Sequence, residues 1–219
     1  MRKLVVNTFL TMDGVMQAPG GPGEDPSGGF DHEGWSVNYW DEAMGKDMDE
    51  FMGKPFDLLL GRKTYEIFAA HWPYSDEPGA AELNQAKKYV ASRTLKDVEW
   101  QNSELINGEV VKEVQKLKGQ DGPEVQVHGS SNLLQTLFQH DLIDELRVWI
   151  FPVTVGKGKR LFGDGAQPRG WKLVDSQTSS TGVTMNTYEP AGELKIGTFQ
   201  LVEPSEAELA RRKKHAAEG

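Results

Sequence analysis

Two stretches of the chain share one design: a short apolar run, a glycine, small or basic polar residues, and then a helical pattern. They are Leu58-Leu59-Leu60-Gly61-Arg62-Lys63-Thr64-Tyr65-Glu66 and Val125-Gln126-Val127-His128-Gly129-Ser130-Ser131-Asn132-Leu133. Each predicts a buried strand that turns tightly into a helix. Such a helix aims its free N–H groups, and the positive end of its dipole, into the turn. The Arg62-Lys63 pair suits the first turn to a polyanionic nucleotide. Tyr89-Val90-Ala91-Ser92-Arg93-Thr94 supplies a third candidate, a short strand ending in hydroxyls and an arginine. Three anion-binding turns suit the phosphates of a dinucleotide, including an extra phosphate on its ribose.

The rest of the composition narrows the partners. The 219 residues suffice for one well-filled core with decorations. Lys plus Arg is 24 against 33 for Asp plus Glu, a net charge of −9. General nucleic-acid binding needs a basic footprint, so no nucleic-acid partner is expected, and the basic residues of the turns are local to a small anion. There is no cysteine, which removes disulfide and thiolate chemistry and makes the cytoplasm the simplest setting. The apolar run Leu4-Val5-Val6 is broken at once by Asn7 and Thr8, so it predicts a first strand and not a leader. No window approaches the length of a membrane span. The five histidines lack metal-ligand spacing, Asp31-His32-Glu33 is expected to be solvated, and no metal is expected.

Periodicity predicts a strand over 3–11, a helix over 39–53 with Ala43, Met44, Met48, Phe51 and Met52 on one face, and a strand over 56–60. Asp47 falls at the edge of that face, and Asp41, Glu42, Asp49 and Glu50 fall elsewhere, in solvent. A short helix over 64–70, another over 79–87 and a strand over 98–101 follow. Asn107 is the expected N-cap of a helix carrying Val110, Val111, Val114 and Leu117. A strand over 124–128 and a helix over 130–139 come next. Leu146, Val148 and Ile150 then alternate with Arg147, Trp149 and Phe151. Residues 171–178 and 182–189 suggest a hairpin, and 194–202 a further strand. The expected fold is α/β: a mostly parallel central sheet, an antiparallel C-terminal hairpin and helices on both faces. One domain over 1–203 would be followed by a helical tail over 204–219, where Ser205 and Glu208 have capping-box spacing. Within the domain, 17–38 is a Gly- and Pro-rich insertion. It is expected to be floppy, with a lid as the alternative.

In chain order, Thr11-Met12-Asp13-Gly14-Val15, Leu60 to Glu66, Ser92-Arg93-Thr94, His128 to Leu133, Ile143-Asp144-Glu145-Leu146-Arg147 and Phe151 to Phe162 resemble the dihydrofolate reductase-like fold. The similarity is greatest to the reductase domain of the bifunctional riboflavin-biosynthesis enzyme and its stand-alone bacterial relatives, over roughly residues 3–190. The resemblance implies NADPH as hydride donor. Gly61, Arg62, Lys63 and Thr64 would hold phosphates, Ser92 and Arg93 the 2′-phosphate, and Gly129, Ser130, Ser131 and Asn132 the pyrophosphate. Asp13-Gly14 would open the loop that closes over the nicotinamide. Lys157, Lys159 and Arg160 could meet an anionic substrate or lie in solvent.

In dihydrofolate reductase an acid on the first helix, one turn before a Phe, anchors the pterin. Asp47 and Phe51 reproduce that spacing, whereas riboflavin-type reductases lack the anchor. Asp47 could equally be a helix-surface acid. Asp47 and Asp13 are thus the catalytic candidates, and Phe51 and Lys157 the substrate-binding ones. With no cysteine to form its metal site, the zinc-deaminase activity of the bifunctional enzyme is not expected of this chain. The implied activity is NADPH-dependent reduction of a small heterocycle, resembling 5-amino-6-(5-phosphoribosylamino)uracil reductase or dihydrofolate reductase. The alternative is a non-catalytic NADP-binding module. A homodimer is expected, partly from the family and partly from the large aromatics Trp149 and Phe151, which alternate away from the Leu146, Val148 and Ile150 face, either face being a possible core.

Overall fold

The computed structural model describes residues 1–106, 108–163, 166–199 and 203–218. Eight strands form one sheet: β1 (Leu4–Thr11), β2 (Phe56–Gly61), β3 (Lys88–Ala91), β4 (Ser103–Ile106), β5 (Glu124–Val127), β6 (Glu145–Phe151), β7 (Trp171–Thr178) and β8 (Thr184–Pro190). Their order is β4-β3-β2-β5-β1-β6-β8-β7. The first six are mutually parallel, β8 runs antiparallel to β6, and β7 antiparallel to β8. Parallel neighbours require crossovers, which helices supply except between β3 and β4, joined by a helix-free connection over 92–102. The helices are α1 (Glu42–Met52), α2 (Arg62–His71), α3 (Ala80–Gln85), α4 (Val110–Lys118) and α5 (Ser131–Gln139), with α6 (Glu206–Glu218) after the sheet.

The central strands are apolar on both faces because helices cover both. Leu58 and Leu60 join Met44, Phe51 and Met52 of α1, Tyr65 of α2 and Leu83 of α3 in one core. Leu59 points the other way, to Val114 and Leu117 of α4 and Leu133, Leu134 and Leu137 of α5. Strand β6 also serves both faces. Leu146 and Val148 belong to the α4–α5 core, and Trp149 and Phe151 to the α1–α3 core. Trp149 is 3% exposed and Phe151 fully buried. The aromatic face that in part motivated the homodimer expectation is therefore core.

Four local expectations are corrected. The strand expected over 98–101 is absent, and the strand that pairs with β3 is β4, a few residues later. Trp100 turns inward instead: its indole N–H donates to Asn84 Oδ1 (2.7 Å) and its backbone N–H to the Tyr65 hydroxyl (3.1 Å). Asn107 lies outside the described residues, and Glu109 is the N-cap of α4. Residues 194–199 form no strand, and 200–202 lie outside the described residues. Asp41 is not merely solvated. It caps α1 by accepting from Met44 N (3.0 Å), and it also accepts from Ser180 N (2.7 Å).

The segment 17–38 is the largest departure, because it is pinned and not floppy. Gln17 Nε2 donates to the carbonyls of Asp25 (2.8 Å) and Ser27 (2.9 Å), and Gln17 Oε1 accepts from Lys159 N (3.0 Å). Glu33 accepts from the N–H groups of Gly23 and Asp25. The Trp35 indole donates to Gln17 O (2.8 Å), and Phe30 and Trp35 are buried in the α1–α3 core. Side chains thus satisfy the backbone that glycine and proline leave without a ladder. Helix α6 buries no residue, and Ser205 Oγ accepts from Glu208 N (3.3 Å). Among the described residues no helix is long and apolar enough to cross a membrane.

Candidate active site at the strand ends

Strands β2 and β5 are parallel neighbours, with Leu58 beside Gln126, so the turns that follow them meet. Gly61 N donates to Gly129 O (3.4 Å). A Cβ on Gly61 would collide with Ser130 Oγ, and one on Gly129 would lie 2.6 Å from Thr64 Oγ1. Both positions are glycine because the two turns press together. The N-caps of α2 and α5, Gly61 and Ser130, make no side-chain cap hydrogen bond. The first N–H groups of both helices therefore open into one notch. The peptide between Gly129 and Ser130 is cis. Ser131 and Asn132 lie in the first turn of α5. Ala91 registers with Gly61, so Ser92 and Arg93 leave the sheet beside Arg62.

The polar side chains of the notch are held lightly. Arg62 pairs with Glu66 (3.0 Å) on the surface, one helical turn along. Arg93 is exposed. Ser92 Oγ accepts from Thr94 N (3.1 Å) and Leu95 N (2.9 Å), which fixes its own turn. Lys63 reaches Asp25 of the 17–38 segment (3.4 Å), and Asp25 also binds Lys159. Burial opposes the Asp25 charge, but Lys159 and Ser27 outweigh it and hold the carboxyl below its usual range. The long loop is thereby fastened to the N-terminus of α2.

On the other side of β1, helix α1 covers the sheet, and the seam between them is the second candidate site, the α1 cleft. Asp47 Oδ2 accepts from the Trp149 indole N–H (3.1 Å), and Oδ1 lies 3.5 Å from Gln177 Nε2. Burial pushes the Asp47 carboxyl up, and the Trp149 bond opposes that shift. Phe9 stacks on Trp149 with centroids 5.0 Å apart, Trp40 lies 5.6 Å from the same indole, and Phe51 is buried beneath the Arg147 guanidinium. Asp47 and Phe51 thus share one wall.

Sequence reasoning missed a polar ladder beneath that wall. Arg147 donates to Glu145 (2.7 Å) and Glu124 (3.1 Å). Gln126 Nε2 donates to Glu124 (2.8 Å) and to the Phe51 carbonyl (3.4 Å). Its oxygen is left to accept from the His128 ring, 3.0 Å away. That assignment puts the His128 proton on Nε2 and leaves Nδ1 as an acceptor. Burial, with Arg147 nearby, lowers the His128 pKa to about 4, so the ring is neutral at physiological pH. The overlooked signal was alternation: Glu124, Gln126 and His128 place polar groups on one face of a strand otherwise filled by Val125 and Val127.

Asp13 is placed apart from the cleft's carboxylate. Its Oδ1 accepts from the Thr11 hydroxyl (2.6 Å) and Val155 N (3.2 Å), and its Oδ2 from Gly156 N (2.8 Å). The Thr11 hydroxyl and these backbone groups hold the carboxyl below its usual range. Asp13 ties the turn after β1 to the segment after β6. Lys157 is exposed, 3.9 Å from Asp31. Lys159 is engaged by Asp25 and Ser27, and Arg160 by the Asp13 carbonyl. Among the described residues no three His, Cys, Asp or Glu side chains are grouped as metal ligands.

The fold has counterparts among known proteins. The chain is 29% identical over 192 residues to the uncharacterised protein YyaP of Bacillus subtilis strain 168, covering 85% of this chain and 94% of that one. It is 23% identical over 167 residues to YwjB of the same organism, covering 74% and 83%. In solved structures the fold is similar to a Shewanella sp. PV-4 protein assigned to riboflavin biosynthesis, with TM-score 0.62, 21% identity and coverage of 87% and 99%. It is also similar to Enterococcus faecalis dihydrofolate reductase in complex with NADP(H), with TM-score 0.55, 15% identity and coverage of 86% and 96%. A pyrimidine reductase-like protein of Corynebacterium diphtheriae gives TM-score 0.57 at 12% identity, covering 88% and 93%. The fold is dihydrofolate reductase-like, and since the RibD C-terminal domain model matches residues 2–185, the chain belongs to the RibD C-terminal domain family, a reductase-type family.

Proposed function

We propose that this protein is an NADPH-dependent reductase of a small heterocyclic substrate. The observation that carries the reading is the pairing of two sites at the strand ends. One is a notch where two uncapped helix N-termini meet across glycines that tolerate no Cβ. The other is an aromatic wall beside a half-buried carboxylate. The first fits a pyrophosphate, since converging N–H groups and helix dipoles suit anions. Arg62 and Arg93, on neighbouring strand ends, fit a further phosphate, because guanidinium stays charged and donates in pairs.

When bound, the cofactor supplies the hydride, and the protein supplies position and electrostatics. Gly61, Thr64, Gly129 and Ser130 would cradle the pyrophosphate. Asp47, with one oxygen occupied by Trp149, would accept an N–H from the flat edge of the substrate. Phe51 and Trp149 would wall the ring and exclude water. Orienting two reactants this way removes entropic cost from the barrier. A second reading, a non-catalytic NADP-binding module, is favoured by the crowding of the cleft by Phe9, Trp40 and Trp149.

Fluorescence titration with NADPH and NADH tests the cofactor assignment, and the expected result is tighter binding of NADPH. Arg93→Ala should weaken NADPH selectively by about tenfold or more, since a charge-assisted contact is worth roughly 1.5–3 kcal/mol. Equal affinity for the two dinucleotides would remove the case for a 2′-phosphate site. NADPH oxidation with a panel of pterins and pyrimidines separates the reductase from the binding module.

A further inference from the structure

Asn7 lies in the middle of β1, 7% exposed, and neither its amide nitrogen nor its amide oxygen has a hydrogen-bond partner. A buried carboxamide offers two donors and an acceptor, and leaving them unpaired is costly enough to be rare.

The register shows where this amide points. Val5 pairs with Gln126 and with Glu145, Asn7 with Arg147, and Phe9 with Trp149. Residues paired across a sheet project to the same side. On that side Gln126 reaches the Phe51 carbonyl, Arg147 lies over the Phe51 ring, and Trp149 reaches Asp47. Asn7 therefore faces α1, with its amide atoms buried beneath that helix. The last pair of the β1–β5 ladder is Val6 with Val127, so His128 comes next, beside Asn7. These neighbours are committed elsewhere: Arg147 to Glu145 and Glu124, the His128 Nε2 proton to Gln126, and the Trp149 indole to Asp47.

We infer that Asn7 is a ligand-reading residue whose carboxamide pairs with an amide edge, an adjacent C=O and N–H, of a molecule bound in the α1 cleft. The inference rests on the reading of that cleft as a binding site. A carboxamide presents donor and acceptor side by side, which is the complement of such an edge. A lactam in the substrate ring and the carboxamide of nicotinamide both carry this chemistry.

The variant Asn7→Leu, close in volume, removes both polar groups from the full chain. Its thermal midpoint should equal or exceed that of the wild type, because an unpaired buried amide is lost. Uracil and 1,3-dimethyluracil, which lacks every N–H, are compared by saturation-transfer NMR with and without NADPH. NADPH and its 3-acetylpyridine analogue are compared by fluorescence titration. If the substrate is read, the wild type prefers uracil tenfold or more, and Asn7→Leu loses that preference with NADPH affinity unchanged. If the nicotinamide is read, Asn7→Leu weakens NADPH tenfold or more and weakens the acetylpyridine analogue, which keeps the carbonyl but lacks the N–H, by less. Asn7→Ala repeats both arms should the leucine overpack. Unchanged behaviour toward all four molecules overturns the assignment, whatever happens to stability. A protein that discriminates uracil through Asn7 yet binds no NADPH refutes the cofactor reading and leaves the assignment of Asn7 in place.

Discussion

At the residue scale, Asp47 and His128 are two half-buried polar groups with opposite demands. Asp47 shares the cleft wall with Phe51 and lies across β1 from the phosphate notch. Asp47→Asn keeps its shape and the Trp149 contact, so NADPH affinity should stay almost unchanged while turnover falls sharply. Steady-state kinetics beside a cofactor titration checks this, and wild-type turnover in the variant would return Asp47 to the status of a helix-edge acid. His128 makes a prediction about pH. Its folded pKa, about 4, lies below the ordinary 6.5, so the unfolded chain takes up the proton first. Its contribution to stability is complete above pH 6.5 and is lost as pH falls toward 4. Thermal midpoints across that window should decline less steeply in His128→Gln than in the wild type. The spacing of Asp47 to Phe51 was legible in the sequence because both lie on one helix turn. Its hydrogen bond to Trp149 was not, because it joins residues 102 positions apart. For the same reason alternation on β6 could not say which of its faces was outward.

Elements were legible where local pattern and long-range packing agree. The turns after β2 and β5 were read correctly as strand-to-helix turns, because a glycine between an apolar run and a helical period admits few other structures. That the two glycines serve each other's turns depends on strand order, which no local window carries. Gly61→Ala should therefore cost both sites: its methyl displaces Ser130, and NADPH binding should be lost even where the variant still folds, as circular dichroism with the same titration would show. The 17–38 segment was misread for the converse reason. Its order comes from Gln17 and Glu33 bonding to backbone, and glycine content says nothing of that. Gln17→Ala orphans two carbonyls and the Lys159 N–H, so urea unfolding should show a loss of roughly 1–3 kcal/mol. Hydrogen exchange should rise across 17–38 first. Unchanged protection there would mean that Phe30 and Trp35 alone hold the loop.

For the whole molecule, the question is where stability resides. The sheet carries two apolar cores, and both are closed by residues before 191. Strand β7 forms the sheet edge, and among the described residues beyond β8 none belongs to either core. Helix α6 has no buried residue, and its ion pairs are its own, Glu208 with Arg211 and Arg212. Exposed pairs of this kind contribute little, and their benefit goes to the helix and not to the sheet. Strand-end chemistry is equally remote from it: every residue assigned to the notch or the cleft lies before residue 178. Ending the chain at Glu203 should therefore leave the thermal midpoint and NADPH affinity at wild-type values. Calorimetry and a fluorescence titration on the shortened chain test that together. A drop in the midpoint would mean that the tail packs against the domain in solution, and a drop in affinity alone would make its basic run, Arg211-Arg212-Lys213-Lys214, part of the anion site.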